Sequence, residues 1–260
     1  MCEDSRDPAD ETARGRIVSD APCRFLDWDS EFFGRRIGQV NGVRITAARL
    51  AEIEDWARDH AIDCLYFLAD AEHHATQQLA VQRGFDLVDT RVTYERDIYR
   101  PSIPEHPGIT IRDGRQSDLP NLAEVSGSSH RISRFWFDPR FPDEDCERLY
   151  RVWLEKSLSG YADRTFVAEV EGQAVGFMTC DIERSSKTGW LVLSSIRREM
   201  RGRGIGKLFV DYPMQWFATE GCERASVVTQ ARNLVAQRLW QRFGFMLVDV
   251  KLWFHCWFDR

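Results

Sequence analysis

The sequence predicts a mixed α/β protein made of two related units, the second more complete than the first. Three observations carry that reading. The chain aligns on itself at an offset of 160 residues, apolar strands alternate with amphipathic helices from Ile109 onward, and a glycine-rich turn joins one such strand to a helix. Composition agrees, with 43% apolar and 29% charged residues over 260 positions, enough chain for one or two cores. A formal net charge of −6 argues against a nucleic-acid partner held by counterion release. No apolar run reaches the roughly eighteen residues of a membrane span, so no membrane partner is expected. The first twenty residues lack the apolar stretch of a secretory signal. Seven scattered cysteines, without CxxC spacing or a histidine cluster, point to reduced thiols in a cytoplasmic protein and to no metal site.

The repeat places 41–95 on 201–255 without a gap, with eleven identities in those 55 positions. Gly42, Ile45, Trp56, Ala71, Gln77 and Leu79 meet Gly202, Ile205, Trp216, Ala231, Gln237 and Leu239. Gly84, Phe85, Leu87, Val88 and Asp89 meet Gly244, Phe245, Leu247, Val248 and Asp249. The first unit is therefore a partial copy of the second.

Residues 1–22 are polar, charged and aperiodic, and read as a disordered tail. The first unit covers 23–100. Pro101, Pro104 and Pro107 then interrupt helix and strand alike and mark a boundary. The second unit covers 108–260. Ile109–Arg112 reads as a strand, and Asp118 as the N-cap of a helix through Ser129. Cys146, Leu149, Tyr150, Trp153, Leu154 and Leu158 share one helical face. Thr165–Val170 and Ala174–Cys180 flank the turn Glu171-Gly172-Gln173 as a hairpin. Trp190–Ile196 is the next strand, and a helix opens near Gly204 with Pro213 expected to kink it. Ala225–Thr229, Leu234–Phe243 and Phe245–Phe258 read as strand, helix and long final strand.

Chemistry concentrates at Arg201-Gly202-Arg203-Gly204-Ile205-Gly206, with Lys207 following. Glycines at a helix N-terminus let backbone N–H groups converge on an anion, and two arginines suit a pyrophosphate. A dinucleotide fingerprint would need Gly at Lys207. A P-loop would need Gly at Arg201 and Ser or Thr at Leu208.

Arg-x-x-Gly-x-Gly after a strand, followed by Asn233-x-x-Ala236 and Gly244-Phe245, resembles the GNAT superfamily of acyl-CoA-dependent N-acyltransferases. The resemblance implies a mixed, mostly antiparallel sheet flanked by helices, here a complete GNAT fold preceded by a partial copy. It implies acetyl-CoA as co-substrate, with the pyrophosphate on loop 201–206 and the pantetheine beside Ser194, Ser195 and Ile196. The Ile196 N–H would face the thioester oxygen, and Asn233 would touch the cofactor arm. Leu26-Asp27-Trp28-Asp29-Ser30-Glu31-Phe32-Phe33-Gly34, Ser133-Arg134-Phe135, Phe137-Asp138-Pro139-Arg140-Phe141 and Leu252-Trp253-Phe254-His255 are similar to the dTDP-fucosamine acetyltransferase family. That likeness implies a dTDP-linked amino-deoxysugar as acceptor, with another small amine or a peptide as the alternative. A non-catalytic binding module is the other alternative.

Under the offset, Arg201, Arg203, Gly204 and Gly206 become Asn41, Val43, Arg44 and Thr46, and Asn233 becomes His73. The first unit is thus expected to bind no CoA, and to wall the acceptor site or form a homodimer contact. His130, Ser133, Arg134 and Arg140 are the candidate acceptor contacts. The resembling family has a tyrosine general acid where this chain has Trp240, and an indole N–H lacks the acidity for that role. His255 and Tyr212 could supply a proton by type, and Glu169, Asp181 and Glu183 read as strand residues ahead of bases. The aromatic end of the last strand, Trp253, Phe254, Trp257 and Phe258, reads as core or dimer surface.

Overall fold

A computed structural model describes residues 20–103, 106–129 and 131–258. Most of the expected tail, along with His130, lies outside the described residues. The chain divides into two compact units that do not follow the proline boundary. The first contains the residues up to 91, 137–141 and those from 250 on, and the second contains 92–136 and 142–249. The departure has a simple cause: the last strand of each repeat is divided between the units, so neither repeat is closed on itself.

In the first unit, β1 (Cys23–Phe25) pairs antiparallel with β2 (Ile37–Val40), which runs parallel to β3 (Cys64–Asp70). The end of β10 (Met246–Trp257) lies antiparallel on the other side of β3. One face of this sheet carries Leu65, Phe67, Ala69, Phe254 and Cys256, which pack with Leu50, Ile53 and Ala57 of α2 (Ala47–Asp59) and Ala80 of α3 (His74–Gln82). The opposite face carries a polar row. Register pairs Arg24 with Gln39, Gln39 with Tyr66, and Tyr66 with His255, so one side chain from each of four strands stands in line. Asp138 ends the row: His255 Nδ1 lies 2.6 Å and Trp257 Nε1 2.8 Å from its Oδ2, and the Arg140 N–H donates to its Oδ1 at 3.0 Å. These donors hold the Asp138 carboxyl below its usual range against the opposing effect of burial, which is the largest single influence. Phe33, from α1 (Asp27–Phe33), packs on Phe141 at 4.6 Å. Phe33, Asp138, Phe141 and His255, which lie in three separate stretches of the sequence, thus meet on one face.

The second unit begins with the rest of β4 (Asp86–Asp97) and β5 (Thr110–Asp113). The 3₁₀ turn Gln116–Asp118, α4 (Leu119–Ser129), α5 (Arg134–Phe137) and α6 (Asp143–Leu158) follow. Then come β6 (Arg164–Val170), β7 (Gln173–Glu183), β8 (Thr188–Ile196), α7 (Ile205–Thr219), β9 (Arg224–Gln230) and α8 (Leu234–Arg242). Its strands run in the order β4-β9-β8-β7-β6-β5. All neighbours from β5 to β8 are antiparallel, and β8 and β9 are parallel. Leu122 of α4 and Leu154 of α6 pack on Val167, Ala174 and Phe177 of the sheet. In α7, Pro213 is buried inside a helix that continues to Thr219. Close approach of α7 to the sheet explains Gly189, where an added Cβ would meet the Phe217 ring at 2.4–2.6 Å.

The repeat is exact in the backbone. β3 and β9, α3 and α8, and β4 and β10 begin and end 160 residues apart. Gln77 and Gln237 reproduce one hydrogen bond, donating to the carbonyls of Ala71 at 2.7 Å and Ala231 at 2.6 Å.

One expectation needs correction. Asp118 does not cap α4. It closes the preceding 3₁₀ turn and accepts both arms of the Arg112 guanidinium at 2.7 and 2.8 Å, plus the Arg115 N–H at 2.8 Å. A buried carboxylate needs a full set of donors, and Arg112 supplies more than a helix end could. Glu169, read as a strand residue ahead of a base, lies in β6 and is the second partner of Arg112 at 2.7 Å.

Two predictions follow from this packing. Gly189→Ala should lower stability by about 1–3 kcal/mol, the usual cost of overpacking, read as a shift in urea midpoint at unchanged slope. Arg112 holds the Asp118 carboxyl below its ordinary pKa, so its contribution is complete above about pH 4 and drains away as pH falls below that. Asp118→Asn should cost about 2 kcal/mol at neutral pH and flatten the acid limb of the stability profile; an unchanged acid limb would refute the assignment.

Candidate acyl-CoA site

The parallel pairing of β8 with β9 covers only Thr188–Leu191 against Arg224–Val227, although β8 continues to Ile196 and β9 to Gln230. A register shift against β7 passes from Cys180↔Leu191 to Thr179↔Leu193, leaving Val192 as the extra residue of a bulge. The strand therefore opens at Val192, just ahead of Ser194. Beyond it, the Leu193 N–H donates to Thr179 Oγ1 at 3.0 Å and the Arg197 N–H to the Val175 carbonyl at 2.8 Å, both toward β7. Alternation then turns the N–H groups of Ser194 and Ile196 toward the side that β9 has left. Ser195 belongs to the other set, and its hydroxyl donates to the Val125 carbonyl at 3.0 Å, so its side chain is committed inward.

The turn after β8 is positioned by its own arginines. Arg201 Nε donates to the Ile196 carbonyl at 3.1 Å, and Arg203 Nη1 lies 3.1 Å from Met200 Sδ. Both side chains are otherwise at the surface. Gly204 is the N-cap of α7 at φ +88°, and no side chain caps the helix. That bareness is specific to this copy. In the first unit Thr46 stands where Gly206 stands here, and its hydroxyl accepts the Arg49 N–H to cap α2. The pairing there also lacks an opening, because β2 ends one residue beyond its last partner, Gln39. The first unit has neither the open strand nor the uncapped helix.

Other expected contacts take distinct positions. Ile205 is buried in the core and offers only its backbone. Lys207 pairs with Asp211, a buried carboxylate that also accepts the Tyr99 hydroxyl at 3.0 Å. Burial, with Asp211 adding to it, pushes the Tyr99 phenol up to about 12. Asn233 caps α8, accepting the Ala236 N–H at 3.2 Å and donating to Thr229 Oγ1 at 3.1 Å. Its polar atoms thus serve the helix start, as His73 does for α3 by accepting the Thr76 N–H at 3.3 Å. Trp240 is buried, packs edge-on to Phe245 at 5.7 Å, and has an indole N–H without a hydrogen-bond partner.

The candidate acceptor residues are less uniform than the sequence suggested. Ser133 and Arg134 are buried, with the Arg134 guanidinium over the Phe135 ring at 4.5 Å. Arg140 is at the surface over Trp257 at 5.5 Å. Tyr212 sits apart from the open strand's chemistry, in a cleft of about 400 Å³ with Ile111, Arg112, Asp113, Arg115, Arg164 and Phe166. His255 belongs to the buried row of the first unit. Asp181 accepts the Asp163 N–H at 3.0 Å, and Glu183 accepts the Ser185 hydroxyl at 3.3 Å. Sequence reasoning missed Asp211, which lies within α7, and Tyr99 and His106, which pack on it; only the carboxylate inside an apolar helix carried a signal.

Residues 131–245 match the acetyltransferase (GNAT) family. A mycothiol acetyltransferase of Streptomyces griseus is 23% identical over 237 residues, covering 90% of this chain and 71% of that protein. A spore coat polysaccharide biosynthesis protein of Bacillus subtilis is 23% identical over 151 residues, and the match spans only 52% of its length. A GCN5-related N-acetyltransferase of Kribbella flavida shares the fold at a TM-score of 0.61 and 16% identity, over 95% of this chain and 92% of that one. No group of three or more potential metal ligands occurs among the described residues, and none of their helices is long and apolar enough to cross a membrane. The match to the GNAT family of acyl-CoA-dependent acyltransferases thus covers the open edge of β8 and the start of α7.

Proposed function

We propose that the chain transfers an acetyl group from acetyl-CoA to the amine of a dTDP-linked amino-deoxysugar. The observation that carries the acyl-transfer part is the open edge of β8 beside the uncapped start of α7. One offers backbone donors to a pantetheine arm and a thioester carbonyl, the other to a pyrophosphate. Arg201 and Arg203 supply charge to the anion, and Lys207 adds to it from the first helical turn. The N–H of Ser194 or Ile196 polarises the thioester oxygen as the neutral amine attacks the acyl carbon directly. Rate comes from holding the two reactants together and from that polarisation, with no covalent enzyme intermediate.

The acceptor reading rests on the convergence of Asp138, Phe141 and His255 with Phe33 in the first unit, and on the likeness to a polysaccharide biosynthesis protein. A second reading is favoured by coverage: the acceptor of mycothiol acetyltransferases, of which the Streptomyces griseus protein matches 90% of this chain. Trp240 occupies the place of the tyrosine acid. Its unpartnered N–H can donate a hydrogen bond to sulfur, and the thiolate, with an ordinary pKa near 8.5, leaves without full protonation.

Thiol release from acetyl-CoA, measured with dTDP-amino sugars and with the mycothiol-pathway amine side by side, separates the acceptors. Acetyl-CoA binding without turnover on any dTDP-sugar removes the sugar reading. The double substitution Arg201→Ala/Arg203→Ala should weaken acetyl-CoA binding about 10- to 100-fold by calorimetry. Trp240→Tyr should raise kcat for thiol release by up to about 100-fold if proton transfer to sulfur limits the wild type; an unchanged kcat would show that another group already supplies the proton.

A further inference from the structure

The strap between the repeats begins at the end of β4, and there two side chains and one backbone N–H hold the elements that build the proposed anion site. Arg96 donates to the Phe243 carbonyl at the end of α8 and lies over the Tyr99 ring at 4.0 Å. Tyr99 donates to Asp211, the partner of Lys207. The Ile98 N–H donates to the Glu223 carbonyl at 2.9 Å, holding the strap's backbone just ahead of β9.

The strap ends at the loop itself. An added Cβ on Gly204 would lie 2.6 Å from His106 Nε2, with the ring carbons on either side at 3.4 and 3.5 Å. The imidazole therefore presents its Nε2 edge to the N-cap of α7, the point from which the bare N–H groups diverge. His106 Nδ1 is buried and has no hydrogen-bond partner. Gly244, the other glycine of the downstream motif, is approached in the same way, with Arg96 Nη1 3.0 Å from an added Cβ. Both glycines make room for a nitrogen-bearing side chain from the strap as well as for a turn.

We propose that His106 is a binding residue of the phosphate loop, donating from its imidazole to the anion held at the start of α7. The inference rests on the reading of loop 201–206 as the CoA pyrophosphate site. A histidine serves here because its ring is short and rigid enough to stay against Gly204 while still offering an N–H to a phosphate oxygen. It adds a donor from a segment nearly one hundred residues upstream of the loop, so the linker joining the repeats contributes to the cofactor site of the second.

The test measures binding of CoA and of pantetheine, which lacks the phosphates, to wild type, His106→Gln and His106→Leu. Thermal unfolding of each without ligand is measured alongside. His106→Leu should weaken CoA about 10- to 100-fold, the worth of a hydrogen bond to a charged group, and leave pantetheine binding and the ligand-free Tm unchanged. His106→Gln, which keeps a donor, should recover most of the loss. Equal weakening of CoA and pantetheine would make His106 a strut for the loop and overturn the proposal, as would CoA binding unchanged in both variants. Failure of wild type to bind CoA would bring down the reading of the loop itself.

Discussion

An unfinished pairing governs the second unit. β8 and β9 run parallel for four residues and then part, although each continues as a strand. Backbone donors left unpaired in a sheet interior are costly unless something answers them, so such an opening is kept only where a partner comes and goes. The bulge at Val192 starts it, the Ile196 carbonyl is taken by Arg201, and the helix that follows begins at a glycine with no cap. These features lie on one stretch of chain between Val192 and Lys207. Apart from that carbonyl, they also share one property, backbone polarity presented rather than consumed.

The first repeat shows what removal of that property costs and gains. Its strand, helix and strand follow the second repeat residue for residue from β3 to β4. Its helix starts on Thr46, whose hydroxyl satisfies the first turn, and Arg44 is tied to Asp70 at 2.6 Å. Gly38 is pressed between Leu65 and Trp56, with 3.0 Å to either from an added Cβ. The space and donors that the second copy keeps open are spent on local stability in the first. What the first unit retains in exchange is a buried polar row across four strands, ended by Asp138.

Regular elements were legible because their determinants are local. The hairpin at Glu171-Gly172, the helix opening after Gly204 and the long final strand are read from periodicity and turn residues within a dozen positions. The loop of the candidate site was legible for the same reason. Asp118 misled because an acid before an apolar run is the signature of an N-cap, whereas its fate is decided by Arg112 on a neighbouring strand. The Asp138–His255 pair spans 117 residues and the approach of His106 to Gly204 nearly as many. Spacing carries no trace of either, since both depend on where the sheet brings the chain. The proline boundary misled in a related way: just ahead of Pro101, Ile98 and Tyr99 are hydrogen-bonded to Glu223 and Asp211 of the second repeat.

Trp240 is where local and global requirements meet. In α8 it occupies an inward position, and its counterpart in the first repeat is the buried Ala80, so the site asks first for a side chain that packs. An indole fulfils that and brings one donor, but no proton that can leave near neutral pH. An unpartnered buried N–H normally counts against stability, and the proposed function gives this one an acceptor on the bound acyl-CoA. A sulfur acceptor suits it, because thiolate is weakly basic and needs a dipole more than it needs an acid. Under the proposed acyl transfer, the catalytic demand falls on the preorganised backbone of β8 and α7 ahead of proton transfer from Trp240.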